Sequence, residues 1–546
     1  MILDIREDAS DEGLSIKAYC ATRDARMQRK SCPGRNVFGL TAPLRRVLWF
    51  GFAVFVAGAI LVAGLNCGPK STKTSRPGGY FEGMVVRVAC SGEPVSRVIS
   101  TFGRRWASNV AASVEVVPYG PATASQDDLP GDLWVIPPAE MPFWAAGNKL
   151  HVVPDSYTAR SGAYAWEGIL PLYRNKLLLW DEKAYALPLL GDAFLCFYRK
   201  DLFDDPQHQA AFKRKYKRDL AAPETWEQFT DIADYFQGQK RPGIDHLCPS
   251  LPPLPASDTE LDREFYLLAA PIARRAVRED ERQPVSDVEL FSFHYDVDTG
   301  GVRIDTGGFV KALESLQKLQ AYRPAETSAE PPLSFQSGEA VLCLASPSWI
   351  TRFNENPRVR GKFGICRVPG SGYVCNYRFG DTEGIPGGNH VPYLGAGGWV
   401  AVVPRTNSQP DAAFALAAAL SDVQTSCDVV IEPACGGGVF RREHLQGQLG
   451  WRTFGLGDAR STEHLVEILS DVALHPQVKD PVMRLRIPQE RTHREALDVQ
   501  IRLALGQGKS AVDAIKAAGQ SWRKLDSGVD LKERISNYRV SLGLGR

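Results

Sequence analysis

The feature that most constrains this chain is a run of nineteen residues without a charge, VLWFGFAVFVAGAILVAGL from Val47 to Leu65. As a helix it would extend about 28 Å, close to the ~30 Å hydrocarbon core of a bilayer, so it is long enough to span one. Its flanks read as membrane edges: Arg45 and Arg46 precede it, and a Gly, Pro, Ser and Thr stretch, Gly68 to Gly79, follows. Six basic residues and no acid lie between Ala25 and Arg46, which predicts a cytoplasmic N-terminus and an extracytoplasmic body, with Lys70, Lys73 and Arg76 weakening the bias. Residues 1–46 are then a cytoplasmic segment or signal n-region, 47–66 a membrane anchor or signal helix, and 67–79 a linker. Gly64-Leu65-Asn66-Cys67 has the form of a lipoprotein signal end, although Asn66 stands where a small residue is usual. An uncleaved anchor and an acylated Cys67 both stay open, and a start at Met27 would leave an ordinary basic n-region.

With 64 Lys+Arg against 63 Asp+Glu, the chain gives no electrostatic reason to expect nucleic acid as a partner. Eight of the 11 cysteines lie beyond Cys67, and an oxidising compartment would permit disulfides, with Cys366-Cys375 and Cys427-Cys435 the close pairs. No cysteine pair has zinc-ligand spacing and the nine His are scattered, so neither a metal nor another cofactor is expected.

Beyond residue 80 short apolar runs alternate with helical patterns. MVVRVAC (84–90), SVEVVPY (113–119) and DLWVIPP (132–138) read as strands, with a helical segment from Pro94 to Trp106 between the first two. ALPLLGDAFLCFYRK (186–200) reads as two strand halves broken at Gly191-Asp192, and VLCLASP (341–347) and GWVAVVP (398–404) as buried strands. Helical periodicity covers 223–236, 308–319 and 412–420 and dominates the C-terminal stretch. This punctuation predicts an α/β layered architecture.

Several segments, taken in order, carry a resemblance. KAYALPLLGDAFLCFYRKDLFDD (183–205) is followed by PETWEQFTDIADYF (223–236). FSFHYDVDTGGVRIDTGGFVKALESLQKL (291–319), FQSGEAVLCLASPSW (335–349), GGWVAVVPRTNSQPDAAFALAAALSD (397–422) and the segment from Arg486 to Trp522 come after it. Over residues 80–525 the chain resembles the extracellular sugar-binding proteins of ABC importers, the maltose-binding-protein-like group. The resemblance implies a two-lobed periplasmic-binding-protein type II fold with crossing hinge strands, here preceded by a membrane helix. On this reading 80–196 and 337–398 form lobe 1, and 197–336 and 399–546 form lobe 2. It also implies a carbohydrate ligand, ABC permease subunits as partners, and no catalysis.

A sugar offers apolar C–H faces to aromatic rings and hydroxyls to carboxylates, amides and Arg. Residues at the carboxyl ends of strands are the candidates for facing such a ligand. Glu93 follows the first strand, Trp144 follows the third, Asp192 breaks the hinge-region strand, Trp349 ends VLCLASP and Trp399 begins the returning strand. Matched to the family, Glu93, Asp192 and Trp349 fall at ligand-contacting places, and His493 falls where an aromatic often stands. Arg441 is a further candidate, although Cys435-Gly436-Gly437-Gly438 before it departs from the family pattern. Each has a structural alternative: a turn for Asp192, a helix N-terminal carboxylate for Glu93, core packing for the Trp residues and His493. Trp226 and Trp522 are assigned to the core. Gly508-Lys509-Ser510 ends like a phosphate-binding loop, but Leu503 occupies the place of the required glycine, so it reads as a helix end and restart. Three functions remain: a membrane-tethered solute receptor of a carbohydrate importer, an anchored carbohydrate-sensing ectodomain, and a secreted glycan hydrolase.

Overall fold

The computed structural model describes residues 80–120, 128–160, 162–240, 261–276, 286–322, 332–376, 380–432, 438–446, 451, 456, 459–474 and 481–546. They belong to one unit, Pro77–Arg546. The apolar run 47–65 and Cys67 lie outside the described residues. Among the described residues no single helix is long and apolar enough to cross a membrane. The bent pair Pro410–Leu420 and Val423–Val430 passes on composition, but its apolar side chains are mostly buried in a core.

The described strands, in chain order, are β1 Val85–Cys90, β2 Ser113–Pro118, β3 Leu133–Ile136, β4 Leu179–Trp180, β5 Lys183–Ala184, β6 Ala186–Leu190, β7 Leu195–Arg199, β8 Leu342–Ala345, β9 Phe363–Cys366, β10 Ser371–Cys375, β11 Thr382–Asn389 and β12 Trp399–Val402. The first lobe is built on a five-stranded sheet in the order β2-β1-β3-β12-β6. β1 runs parallel to β2 and β3, whereas β12 is antiparallel to β3 and β6. Every residue of β3 and β6 is buried, as expected of continuous apolar runs covered on both faces. At the edge, β2 alternates exposed and half-buried residues and ends in Pro118, which has no donor to offer a further strand. The Ala-rich helix Pro410–Leu420 lies against β6 and Arg104–Val110.

A second sheet, in the order β8-β7-β9 and antiparallel throughout, carries the second lobe. Strand alternation divides β7 between two cores: Leu195 and Phe197 join the cluster containing Phe335 and Phe353, and Cys196 joins the one containing Trp226 and Phe265. Helix Trp226–Phe236 begins at Thr225, whose Oγ1 accepts from the Gln228 N–H at 3.4 Å, and it buries Trp226, Phe229, Ile232, Ala233 and Phe236. Helices Asp262–Ala273, Gly307–Gln320, Glu490–Gly506 and Ala511–Asp526 pack together in that second core. At Gly508-Lys509-Ser510 one helix ends and the next restarts, with Ser510 Oγ accepting from the Asp513 N–H at 3.0 Å.

The pairing corrects the expected division of the chain. β8 and β9, within 337–398, hydrogen-bond to β7 of the second lobe, and β12, the start of 399–546, inserts between β3 and β6 of the first. VLCLASP and GWVAVVP are equally apolar, and nothing within either run states which sheet will accept it.

Candidate functional site

An open cleft of ≈ 750 Å³ lies between the two sheets, a volume within the usual range for small-ligand sites. From the first lobe come Glu93 after β1, Pro137 after β3 and Asp192 after β6. From the second come Cys343 to Ser346 along β8, then Ser348, Trp349 and Arg352. Trp399 enters at the start of β12, which is antiparallel to β6 and therefore begins at the end where β6 finishes. Four of the seven residues singled out from sequence thus converge on one surface.

Asp192 sits where the chain leaves β6 and crosses to β7. Its backbone N–H donates to Tyr173 Oη at 3.2 Å, and the N–H of Gly191 donates to the Gly438 carbonyl at 3.1 Å. Gly191 and Gly438 pack backbone to backbone, so a Cβ on either would collide with the facing main chain. Gly395, at φ +56, closes over the carboxylate, and a Cβ there would stand 2.6 Å from Asp192 Oδ2. Burial pushes the Asp192 carboxyl up to about 6, while Arg263, the N–H groups of Ala193 and Gly398, and Arg484 pull it back.

Trp349 opens helix Trp349–Glu355 and is half-buried. The Arg352 guanidinium lies 4.6 Å from its ring centroid, as i,i+3 spacing on a helix allows. Glu93 is exposed and stands 3.7 Å from Arg97. Trp399, half-buried, lies at a register shift where β12 meets Leu190. Arg263 and Glu264, in the first turn of helix Asp262–Ala273, complete a rim of both signs. Sequence reasoning missed Arg263, Arg352 and Phe194. Only Arg352 had a signal, its position three residues after Trp349.

Three expected site residues lie elsewhere. Trp144 is 1% exposed and packs edge-on against Trp134 at 5.0 Å and Phe143 at 4.9 Å. Arg441 is fully buried, donating to the carbonyls of Ser421 at 2.8 Å, Ala165 at 2.9 Å and Tyr164 at 3.1 Å, so its guanidinium holds loops together. His493 is 1% exposed, with Nε2 2.9 Å from Asp526 Oδ1 and its ring 5.0 Å from Trp522. The core alternative holds for Trp144 and His493, and Arg441 is a buried tie; the partners of Arg441 and His493 are distant in sequence, whereas the ring partners of Trp144 are near it in the chain. Trp226 and Trp522 are buried, as expected. Among the described residues no group of three or more His, Cys, Asp or Glu could hold a metal ion.

At the cleft wall Arg484 Nε stands 2.9 Å from Asp262 Oδ2 and 3.9 Å from Glu490 Oε1, and its backbone N–H donates to the Gly395 carbonyl at 2.8 Å. Asp498 Oδ1 accepts from the Asp262 N–H at 2.9 Å. Burial, with the Asp262 charge, pushes the Asp498 carboxyl up to about 8, and burial pushes Glu490 up to about 7, each against the pull of Arg484 and Arg494. An acid whose folded-state pKa exceeds its unfolded value takes up a proton on folding, so the stability it contributes at acidic pH is lost as pH rises through the folded pKa. The melting temperature is therefore expected to fall between pH 5 and pH 8. Asp498→Asn, which keeps an acceptor for the Asp262 N–H, should reduce proton uptake on folding at pH 6 to 7 by about one and flatten that slope, with Glu490 supplying the remainder. Calorimetry across this range checks it: equal slopes for the two proteins would mean that Asp498 is ionised throughout.

A family model described as bacterial extracellular solute-binding protein matches residues 112–425, more than half of the chain. The chain belongs to this family. It is a family of binding proteins, not of enzymes. Solved structures of the same fold include maltose-bound MalE3 of T. maritima, 20% identical, covering 81% of this chain and 100% of that one with a TM-score of 0.57. An ABC transporter solute-binding protein of Agrobacterium radiobacter in complex with ribitol is 16% identical, covering 82% and 99% with a TM-score of 0.60. The sugar-binding protein MalE of Xanthomonas citri is 18% identical, covering 82% and 100% with a TM-score of 0.54. No curated protein sequence matches the chain.

Proposed function

We propose that this solute-binding protein captures a carbohydrate or sugar alcohol between its lobes and delivers it to an ABC permease, tethered outside the cytoplasm by residues 47–65. The observation that carries the reading is the convergence of Trp349 and Trp399 with the carboxylates of Asp192 and Glu93 on one open cleft between two lobes. Rings take the C–H faces of the ligand, carboxylates and arginines take its hydroxyls, and movement about the crossing segments closes the lobes over it. Maltose and ribitol, bound by the T. maritima and Agrobacterium radiobacter proteins, belong to this chemical class. The charge-free run with its basic N-terminal flank supports the tether.

Thermal unfolding of the purified chain against a panel of mono- and oligosaccharides, sugar alcohols, amino acids and short peptides tests the ligand class. At least one carbohydrate or polyol at 100 times its Kd should raise the apparent stability by about 2.7 kcal/mol and be recovered intact. A response confined to amino acids or peptides would overturn the carbohydrate reading. Protease added to spheroplasts tests the tether, and a body protected from digestion would refute it.

A further inference from the structure

We propose that Cys196 and Cys366 form a cross-strand pair that closes to a disulfide within the second lobe. The two residues are directly opposite in the antiparallel β7–β9 pairing. Directly opposed residues of such a pair have Cα atoms about 4.5 to 5.5 Å apart, inside the 4.4 to 6.8 Å range that a disulfide bridges. Their side chains share one face of the sheet: both pack against the cluster that contains Phe203 and Trp226. The Cys366 thiol already points across the ladder, with Sγ 3.5 Å from the Cys196 carbonyl. At the next pair on that face the Tyr198 ring lies over Gly364, where a Cβ would collide with it.

The other described cysteines lack this arrangement. Cys343 is opposite Phe197 and turns to the other core, Cys90 lies in β1 opposite Pro118, Cys375 is opposite Thr382 in the β10–β11 ribbon, and Cys427 is on a helix. The assignment replaces the Cys366-Cys375 pairing suggested by proximity in sequence. Cys435, the expected partner of Cys427, lies outside the described residues.

Closure requires a disulfide-bearing oxidant, such as oxidised glutathione or a dithiol oxidase. One thiolate attacks the oxidant's S–S bond and releases a thiol, and the second thiolate then resolves the mixed disulfide, releasing another. Two protons and two electrons leave the pair and the oxidant receives them. Cys196 is fully buried, and burial holds its thiol well above the ordinary range. The exchange therefore belongs to folding, before helices cover β7. Both strands lie in one lobe, so the bond stiffens that lobe without bridging the cleft.

Closure in cells rests on the extracytoplasmic placement, so the test has two arms. The full chain is folded in a glutathione redox buffer, and the same chain is recovered from the membrane fraction of producing cells. Both are blocked with N-ethylmaleimide in denaturant, digested without reductant and mapped by mass spectrometry. A linked Cys196–Cys366 peptide in the redox-buffer arm is the expected result, together with a melting temperature that drops by several degrees on reduction. Cys366→Ser should remove that dependence on reductant, and Cys366→Ala serves if the serine variant fails to fold. Alkylation of both cysteines in the redox-buffer arm would overturn the proposal. Linkage in buffer with free thiols in the cell-derived protein would uphold the pair and refute the placement instead.

Discussion

Trp349→Ala is expected to lower affinity for a responsive carbohydrate by about 2 to 4 kcal/mol, on the order of 30- to 700-fold, while moving the melting temperature little. The indole is half-buried in the cleft wall, with the Arg352 guanidinium 4.6 Å from its ring centroid and the Phe353 ring 5.9 Å away, so truncation removes the exposed remainder of a flat apolar surface that a ligand would cover and loses less packing than a fully buried Trp would. Titration calorimetry and a thermal melt on the same preparation separate the two effects. A variant that binds normally but melts early would make Trp349 a packing residue and leave Trp399 and Phe194 as the described aromatics of the cleft.

Trp522→Ala is expected to do the reverse. The side chain is fully buried, 5.0 Å from the His493 ring and 5.6 Å from that of Tyr295, and its Nε1 donates to the His493 carbonyl at 2.8 Å. Truncation leaves a cavity and removes the indole N–H hydrogen bond, a loss of about 3 to 5 kcal/mol of stability. Affinity of the surviving folded fraction should be unchanged, since Trp522 does not line the cleft. Denaturant titration with a binding assay decides it. A drop in affinity comparable to that of Trp349→Ala would mean that the C-terminal helices help to shape the site.

These variants separate what could be read along the chain from what could not. Glu93, Asp192, Trp349 and Trp399 were legible because each stands at a strand end, and alternating β and α punctuation sends strand ends to one edge of a layered domain. Trp144, Arg441 and His493 were equally plausible by residue type; Trp144 turns into the core against its near neighbours Trp134 and Phe143, while the surroundings of Arg441 and His493 arise from segments far away in sequence. Arg441 is enclosed by carbonyls at 164, 165 and 421, and His493 by Asp526 and Trp522. Arg263 carried no local signal, since an arginine in the first turn of an amphipathic helix usually faces water.

By itself the sequence determined the α/β layering, the helix over 223–236, the helix end and restart at 508–510, the break at Gly191-Asp192 and the charge-free run at 47–65, because each rests on periodicity, turn chemistry or composition within a few neighbouring residues. Only the tertiary structure decided that β12 belongs to the first sheet and β8 and β9 to the second, and that Cys366 faces Cys196. A buried strand is apolar on both faces whichever sheet accepts it. Its partner is selected by backbone hydrogen bonds and side-chain packing with chain that is distant in sequence, and a local pattern carries no record of that choice.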